Sequence, residues 1–270
     1  MRLDFGRALT CLRLLVEGSS VRSIERVTEV NRDTILRLLV LAGQRCEKLL
    51  EEKLRDLDVE DVQCDEIWGF VRKKESHKRP EEAHNNEIGD QWCFVAIERN
   101  TKLIVAWHLG RRTSRDTLAF TEKLREATSS HFQLTSDGFA PYRDAVSYSL
   151  GMRVDFAQLV KVYAAPREGE QRYSPAEVVD AVPTVRIGRP DPDKICTSHI
   201  ERQNLTMRMQ IRRLTRLTNA FSKKLENHGC ALALHFAWYN FCRVHRTIRV
   251  TPAMQAGIAD HVWEIGELLK

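Results

Sequence analysis

The apolar residues of this chain change period near residue 60, and that switch constrains the fold more than any other feature. Up to residue 50 they recur at helical spacing; from residue 62 they run in short β-branched and aromatic segments. Such a chain sets a small helical unit beside a sheet layer. Ala8, Leu9, Leu12, Leu15 and Val16 predict a helix over 7–17, stopped at Gly18-Ser19-Ser20. A shorter helix over 20–28 follows, with Val21, Ile24 and Val27 on one face. After a turn at 30–32, Asn31 or Asp33 caps a longer helix holding Ile35, Leu38, Leu39 and Leu41. Helix, short helix, tight turn and longer helix is the helix-turn-helix pattern, although a plain three-helix packing unit reads the same way. In the DNA-binding case the third helix enters the major groove, which makes Arg32, Thr34 and Arg37 the expected contacts, with Asp33 among them.

Residues 47–60 are charged and read as a helical connector. Strand-length segments then appear at 62–71, 92–99 and 103–109, the last two joined by the turn Asn100-Thr101-Lys102. A helix over 114–127 leads to a strand at 132–136 ending in Asp137-Gly138; a helix over 141–148 leads to a strand at 156–164. Residues 165–195 are Pro/Gly-rich and polar, an insertion or lid with a short strand near 185–187. Helices are predicted over 197–218 and 221–245, and Thr251-Pro252 opens a last one. The expected architecture is α/β: a mixed sheet flanked by helices, preceded by a small all-α helix-turn-helix domain. The expected units are 1–50, a linker 51–61, a sheet domain 62–250 with an insertion at about 156–194, and a C-terminal helix in 251–270.

A chain of 270 residues buries a sizeable core without disulfides. Its seven scattered cysteines read as reduced core thiols, hence a cytoplasmic protein. No apolar run approaches the ~18 residues of a membrane span, and the amphipathic amino end does not read as a signal peptide. Net charge is only +5, but Ile195 to Leu225 holds seven basic residues and one acid, 7 − 1 = +6. A basic stretch around one carboxylate suits a phosphate backbone, or is simply a solvated helix face.

That carboxylate is Glu201. Asp65, inside the first strand, and Asp137, closing the fourth, are the other acids that a mixed sheet would bring to one crevice. Three carboxylates in one crevice repel, and divalent cations relieve that repulsion. Paired Mg²⁺ or Mn²⁺ ions at such acids perform phosphodiester chemistry. Each acid has a plainer reading: Asp65 in an ion pair, Asp137 in a Ser-Asp-Gly turn, Glu201 in the capping box Ser198-x-x-Glu201. Asn204 and Arg208 follow Glu201 by one and two helical turns, placed to support the acid and contact phosphate; Ile200, Met207, Ile211 and Leu214 read as core. Cys230, His235, Cys242 and His245 lack regular zinc spacing. Trp238, Tyr239 and Phe241 read as sheet-packing aromatics. There is no phosphate-binding loop for a nucleotide cofactor and no serine-hydrolase elbow.

Cys64-Asp65-Glu66-Ile67-Trp68, Trp92–Asn100 with Leu103–His108, Thr135-Ser136-Asp137-Gly138-Phe139 with Tyr142, His199-Ile200-Glu201-Arg202-Gln203-Asn204-Leu205 with Met207-Arg208, and Thr218–Lys224 together resemble the insertion-sequence-one family of transposases, in order from Asp61 to Gly257. That family belongs to the DDE transposases, which have an RNase H-like fold. The resemblance implies that Asp65, Asp137 and Glu201 are catalytic and bind metal, Mg²⁺ or Mn²⁺, as two ions. It further implies binding of terminal inverted repeats, strand cleavage and strand transfer, on double-stranded DNA, by a homodimer or larger assembly. With Asn204 and Arg208, Arg212 and Arg213 are the expected DNA contacts of the basic helix. The chain departs from many members in having no Cys-x-x-Cys module ahead of its helices. The long Asp137–Glu201 interval brings Glu168 and Glu170 into the interval and leaves Glu226 beyond the motif, with Glu201 the best match. A nuclease that cuts without joining, and a catalytically silent DNA-binding protein, are the alternative readings.

Overall fold

The helices at the amino end begin where short polar side chains cap them. Asp4, Ser20 and Asn31 accept backbone N–H bonds from Arg7, Ser23 and Asp33, starting α1 (Phe5–Val16), α2 (Val21–Thr28) and α3 (Arg32–Lys53). The computed structural model describes residues 3–164 and 178–270. Cys11, Ile24, Val30 and Ile35 form a small core where the three helices meet. α3 runs past residue 50, and its later turns bury Ala42, Cys46 and Leu50 in the same core as the sheet. They pack against α7 (Leu225–Ala237). Gly43 permits that approach: a Cβ there would collide with the Cys230 backbone.

Among the described residues one sheet has six strands, ordered β3-β2-β1-β4-β5-β6. These are β1 (Asp61–Val71), β2 (Gly89–Glu98), β3 (Ile104–Gly110), β4 (Phe132–Asp137), β5 (Val154–Tyr163) and β6 (Val178–Ile187). β1, β2 and β3 are successively antiparallel; β4 and β5 run parallel to β1; β6 returns antiparallel to β5. This is the mixed sheet expected. Its parallel strands need long crossovers, supplied by α4 (Ser114–Ala127) and α5 (Pro141–Ser149). These helices cover one face, where Phe120 and Tyr142 pack on Phe94. The other face is covered by α6 (Ser198–Gln210) and α7, through Ile200, Met207, Leu232 and Phe236.

Several elements differ from their sequence expectation. Residues 156–194 supply most of the two outer strands; residues 165–177, including Glu168 and Glu170, lie outside the described residues. The helix expected to reach residue 218 ends at Gln210. Ile211 turns extended, and Arg212–Leu214 form a 3₁₀ turn that buries Leu214. α7 starts at Leu225 rather than Phe221 and ends in a π turn, Trp238–Cys242. Residues 251–270 are not one helix. Thr251 caps a single turn, α8 (Pro252–Gln255), and Gly257, at φ 72°, leads the chain out of it. Among the described residues no helix is long and apolar enough to cross a membrane.

Candidate acidic site and basic groove

The site is built on a lock between β1 and α6. Period-2 alternation sends Gln63, Asp65 and Gly69 to the α6–α7 face of the sheet. Gln63 is fully buried, and its Oε1 accepts the N–H groups of His199 (2.9 Å) and Ile200 (3.2 Å). It thus satisfies amides at the start of α6 that no cap side chain reaches. Further along the same pair, Asn204 Nδ2 donates to Asp65 Oδ2 at 2.8 Å. Glu201 stands between these two contacts.

Asp65 and Asp137 come together because β1 and β4 are parallel neighbours, paired through Cys64 and Ser136. A third acid joins them. Asp65, Glu66 and Asp137 each offer an oxygen, and those oxygens lie within 4.8 Å of one another. Glu66 points to the opposite face of β1, where Arg112 Nε meets its Oε2 at 3.1 Å. The Arg112 guanidinium lies 4.0 Å from the Phe139 ring and 4.9 Å from that of Trp92, and its Nη2 is 3.6 Å from Asp137. The Glu201 carboxylate is outside this trio. It is paired with Lys161 of β5 and accepts the Thr197 hydroxyl. The Ser198 capping box is not formed, because Thr197 rather than Ser198 is the cap residue.

Electrostatics follow from crowding. Burial, and then the Asp137 charge, push Asp65 up to about 7; the Glu66 N–H and Lys161 pull it back, while Glu201 adds to the rise. Burial and Asp137 also push Glu66 up to about 7, opposed by Tyr142 and Arg112. Without a counterion the cluster therefore holds protons near neutrality. Glu66 Oε1 and Asn204 Oδ1 are buried with no hydrogen-bond partner; the Tyr142 phenol is near Glu66 but outside hydrogen-bond geometry. An all-oxygen set with bare buried acceptors fits a hard divalent cation such as Mg²⁺ or Mn²⁺.

The expected DNA contacts fall in two places. Asn204 and Arg208 belong to the acidic site. Arg208 is half-buried, donates to the Leu214 carbonyl at 3.1 Å, and is brought down to about 10 by burial and by Arg216, with Asp65 opposing. Arg32 and Arg37 of α3 line a long groove whose other wall carries Arg212, Arg213, Lys223 and Lys224. Thr34 is half-buried and does not line it. Arg213 is half-buried: its Nε is sealed from solvent without a partner, and burial brings the group down to about 10. Sequence reading missed Glu66, Arg112 and Lys161. An acid next to Asp65 should face away from it, and only the end of β4 brings the two into one cluster. Arg112 and Lys161 carry no motif.

Residues 190–241 match the family model of the IS1 transposase, a segment covering α6, the 3₁₀ turn, α7 and most of the π turn. Among matching solved structures is the Mos1 transposase paired-end complex with left transposon end. It is 15% identical, with a TM-score of 0.22, over 58% of this chain and 60% of that chain. This chain thus spans less than two thirds of that one. No curated protein matches.

Proposed function

We propose that this chain is a DNA transposase of the insertion-sequence-one type, binding terminal inverted repeats and catalysing cleavage and strand transfer. The observation that carries the reading is the meeting of Asp65 and Asp137 at the β1–β4 seam, beside a helix inside the segment that matches the IS1 transposase model. Asp65, Asp137 and Glu201 are the proposed catalytic acids and would hold two Mg²⁺ or Mn²⁺ ions, with Glu66 alongside. When bound, such ions neutralise the acids and polarise the phosphodiester. The chain's own residues do the rest. Asn204 fixes the Asp65 carboxylate, and Arg208 offers positive charge one helical turn further on. Lys161 balances Glu201 until that acid is needed. Water and then the freed 3′-hydroxyl attack phosphorus in the same place, so one set of acids serves hydrolysis and joining. Arg32, Arg37, Arg212 and Arg213, which line the groove, are the proposed DNA contacts beyond the acids, and two chains are needed to join two ends.

The Lys161–Glu201 pair favours a second reading, a silent DNA binder with its third acid permanently neutralised. One assay separates the two. Labelled duplexes bearing the inverted ends that flank the gene, incubated with Mg²⁺, should give 3′-nicked and then joined products. Nicking without joining indicates a nuclease, and binding without either supports the silent binder. Asp65→Asn should abolish both products and spare binding; undiminished joining removes Asp65 from the site.

A further inference from the structure

Beyond the acids, β1 carries a row of aromatic rings that neither the metal site nor the core uses up. Trp68 and Phe70 follow Glu66 on the same face of the strand. Both are half-buried, with centroids 5.6 Å apart. Phe221 extends the row, 4.8 Å from Phe70, because the loop before α7 is stitched to the end of β1: Arg72 N–H donates to Ser222 O at 2.7 Å. Cations stand over both ends. Lys74 Nζ is 5.6 Å from the Trp68 ring and Lys223 Nζ is 3.6 Å from that of Phe221. Among the described residues, Arg72, Lys74, Lys223 and Lys224 are exposed and have no carboxylate partner. Asp90, opposite Phe70, is occupied by the Glu75 N–H, and Glu75 by Lys78 and Arg111.

The row also has a direction. Phe221 and Lys223 line the basic groove, while Glu66, at the other end, belongs to the acid cluster. From Asp65 to Phe70 is five strand residues, roughly 17 Å. A polyanion lying in the groove would pass over these rings to reach the acids. Rings flanked by unpaired cations are what unpaired nucleobases bind, the bases stacking and the phosphates taking the lysines.

We propose that Trp68, Phe70 and Phe221 form a stacking platform for unpaired bases of a DNA strand, holding it open between the groove and the acids. The inference rests on the reading of the acids as DNA-processing, and it adds a binding mode that the acids do not require. It is tested on the full chain without divalent cations, by fluorescence anisotropy. The probes are a labelled oligo-dT of about twenty nucleotides and a random-sequence duplex of the same length. Trp68→Ala and Phe221→Ala should each weaken oligo-dT binding about tenfold while changing duplex binding less than about twofold. Lys223→Ala should weaken both. Phe221→Leu keeps the apolar contact with Phe70 and should behave as Phe221→Ala, which separates stacking from folding. A 2-aminopurine in the oligonucleotide should be quenched by the native chain and much less by Phe221→Leu. Native-like oligo-dT affinity and quenching in a folded Phe221→Leu would overturn the platform and leave the acid site standing. Failure of the native chain to bind either DNA would overturn both readings.

Discussion

Two carboxylates held near neutrality beside Asp137 make the acid site a source of instability until something neutralises it. Asp65 and Glu66 are pushed from ordinary values near 4 up to about 7, chiefly by burial and next by Asp137. The folded chain keeps protons that the unfolded chain releases in that interval. The stability these groups contribute is therefore present below pH 4 and lost as pH rises through 7. Buried His228 and His235, brought down from 6.5 to about 3 by burial, act oppositely: their contribution is present above 6.5 and lost as pH falls. Without metal, these two acids therefore weaken the fold on the alkaline side and these two histidines weaken it on the acidic side. Asp65→Asn should raise the melting temperature in EDTA at pH 8, equivalent to on the order of 2–4 kcal/mol of stability, raise it less at pH 5, and leave it unchanged below about pH 4. In the native chain, Mg²⁺ or Mn²⁺ should raise the melting temperature more at pH 8 than at pH 5, and Asp65→Asn should lose most of that response. A native chain whose melting is indifferent to both ions at pH 8 would leave the cluster without its cation.

At the scale of elements, two contacts decide whether α6 and α7 stay where the site needs them. Gln63→Leu removes the acceptor of two amides at the start of α6 and leaves them buried. It should cost on the order of 1–3 kcal/mol in urea unfolding and speed hydrogen exchange at His199 and Ile200. Gly43→Ala forces a methyl onto the Cys230 backbone, where no side chain can swing aside. It should cost about 1–3 kcal/mol or more and pry α3 from α7; an unchanged urea midpoint would show that the two helices are not closely packed. Neither contact could be read from sequence, because each pairs residues far apart along the chain. What was legible was local. Asp4 aside, the caps Ser20, Asn31 and Thr251 sit where short polar residues precede apolar periods, and β1 to β4 are bounded by turns and polar runs. The ends of α6 and α7 were not legible. Nothing breaks the helical pattern between Met209 and Thr218, and the chain leaves it because Leu214 finds a buried seat, the Arg208 guanidinium donates to the Leu214 carbonyl and the Thr215 hydroxyl donates to the Arg208 carbonyl. In the acid site, Asp65 and Asp137 were legible as acids at strand positions that share a seam. Glu66 was not, since alternation alone sends it to the far face.

Over the whole molecule, the amino-terminal three-helix unit is joined to the sheet rather than tethered to it. The boundary expected at residue 50 falls inside α3, whose Ala42, Cys46 and Leu50 are buried with the sheet's own core. A rigid junction fixes the distance between α3 and the loop before α7, and so makes one groove of two basic surfaces that a flexible linker would leave independent. Arg32 and Arg37 lie on one wall, Lys223 and Lys224 on the other. If duplex DNA occupies the groove, both walls contact phosphates in the same encounter, each contact releasing about one counterion. Arg37→Ala and Lys224→Ala should then each reduce the slope of log affinity against log salt by about 1, and the double variant by about 2. Both residues are exposed, so their loss leaves the core untouched. Were α3 to bind DNA alone, turned away from the sheet, Lys224→Ala would leave the slope at its native value and only Arg37→Ala would lower it. A lowered slope in both single variants instead makes the junction between α3 and α7 part of how the molecule holds DNA, and Gly43→Ala should then weaken duplex binding as well as stability.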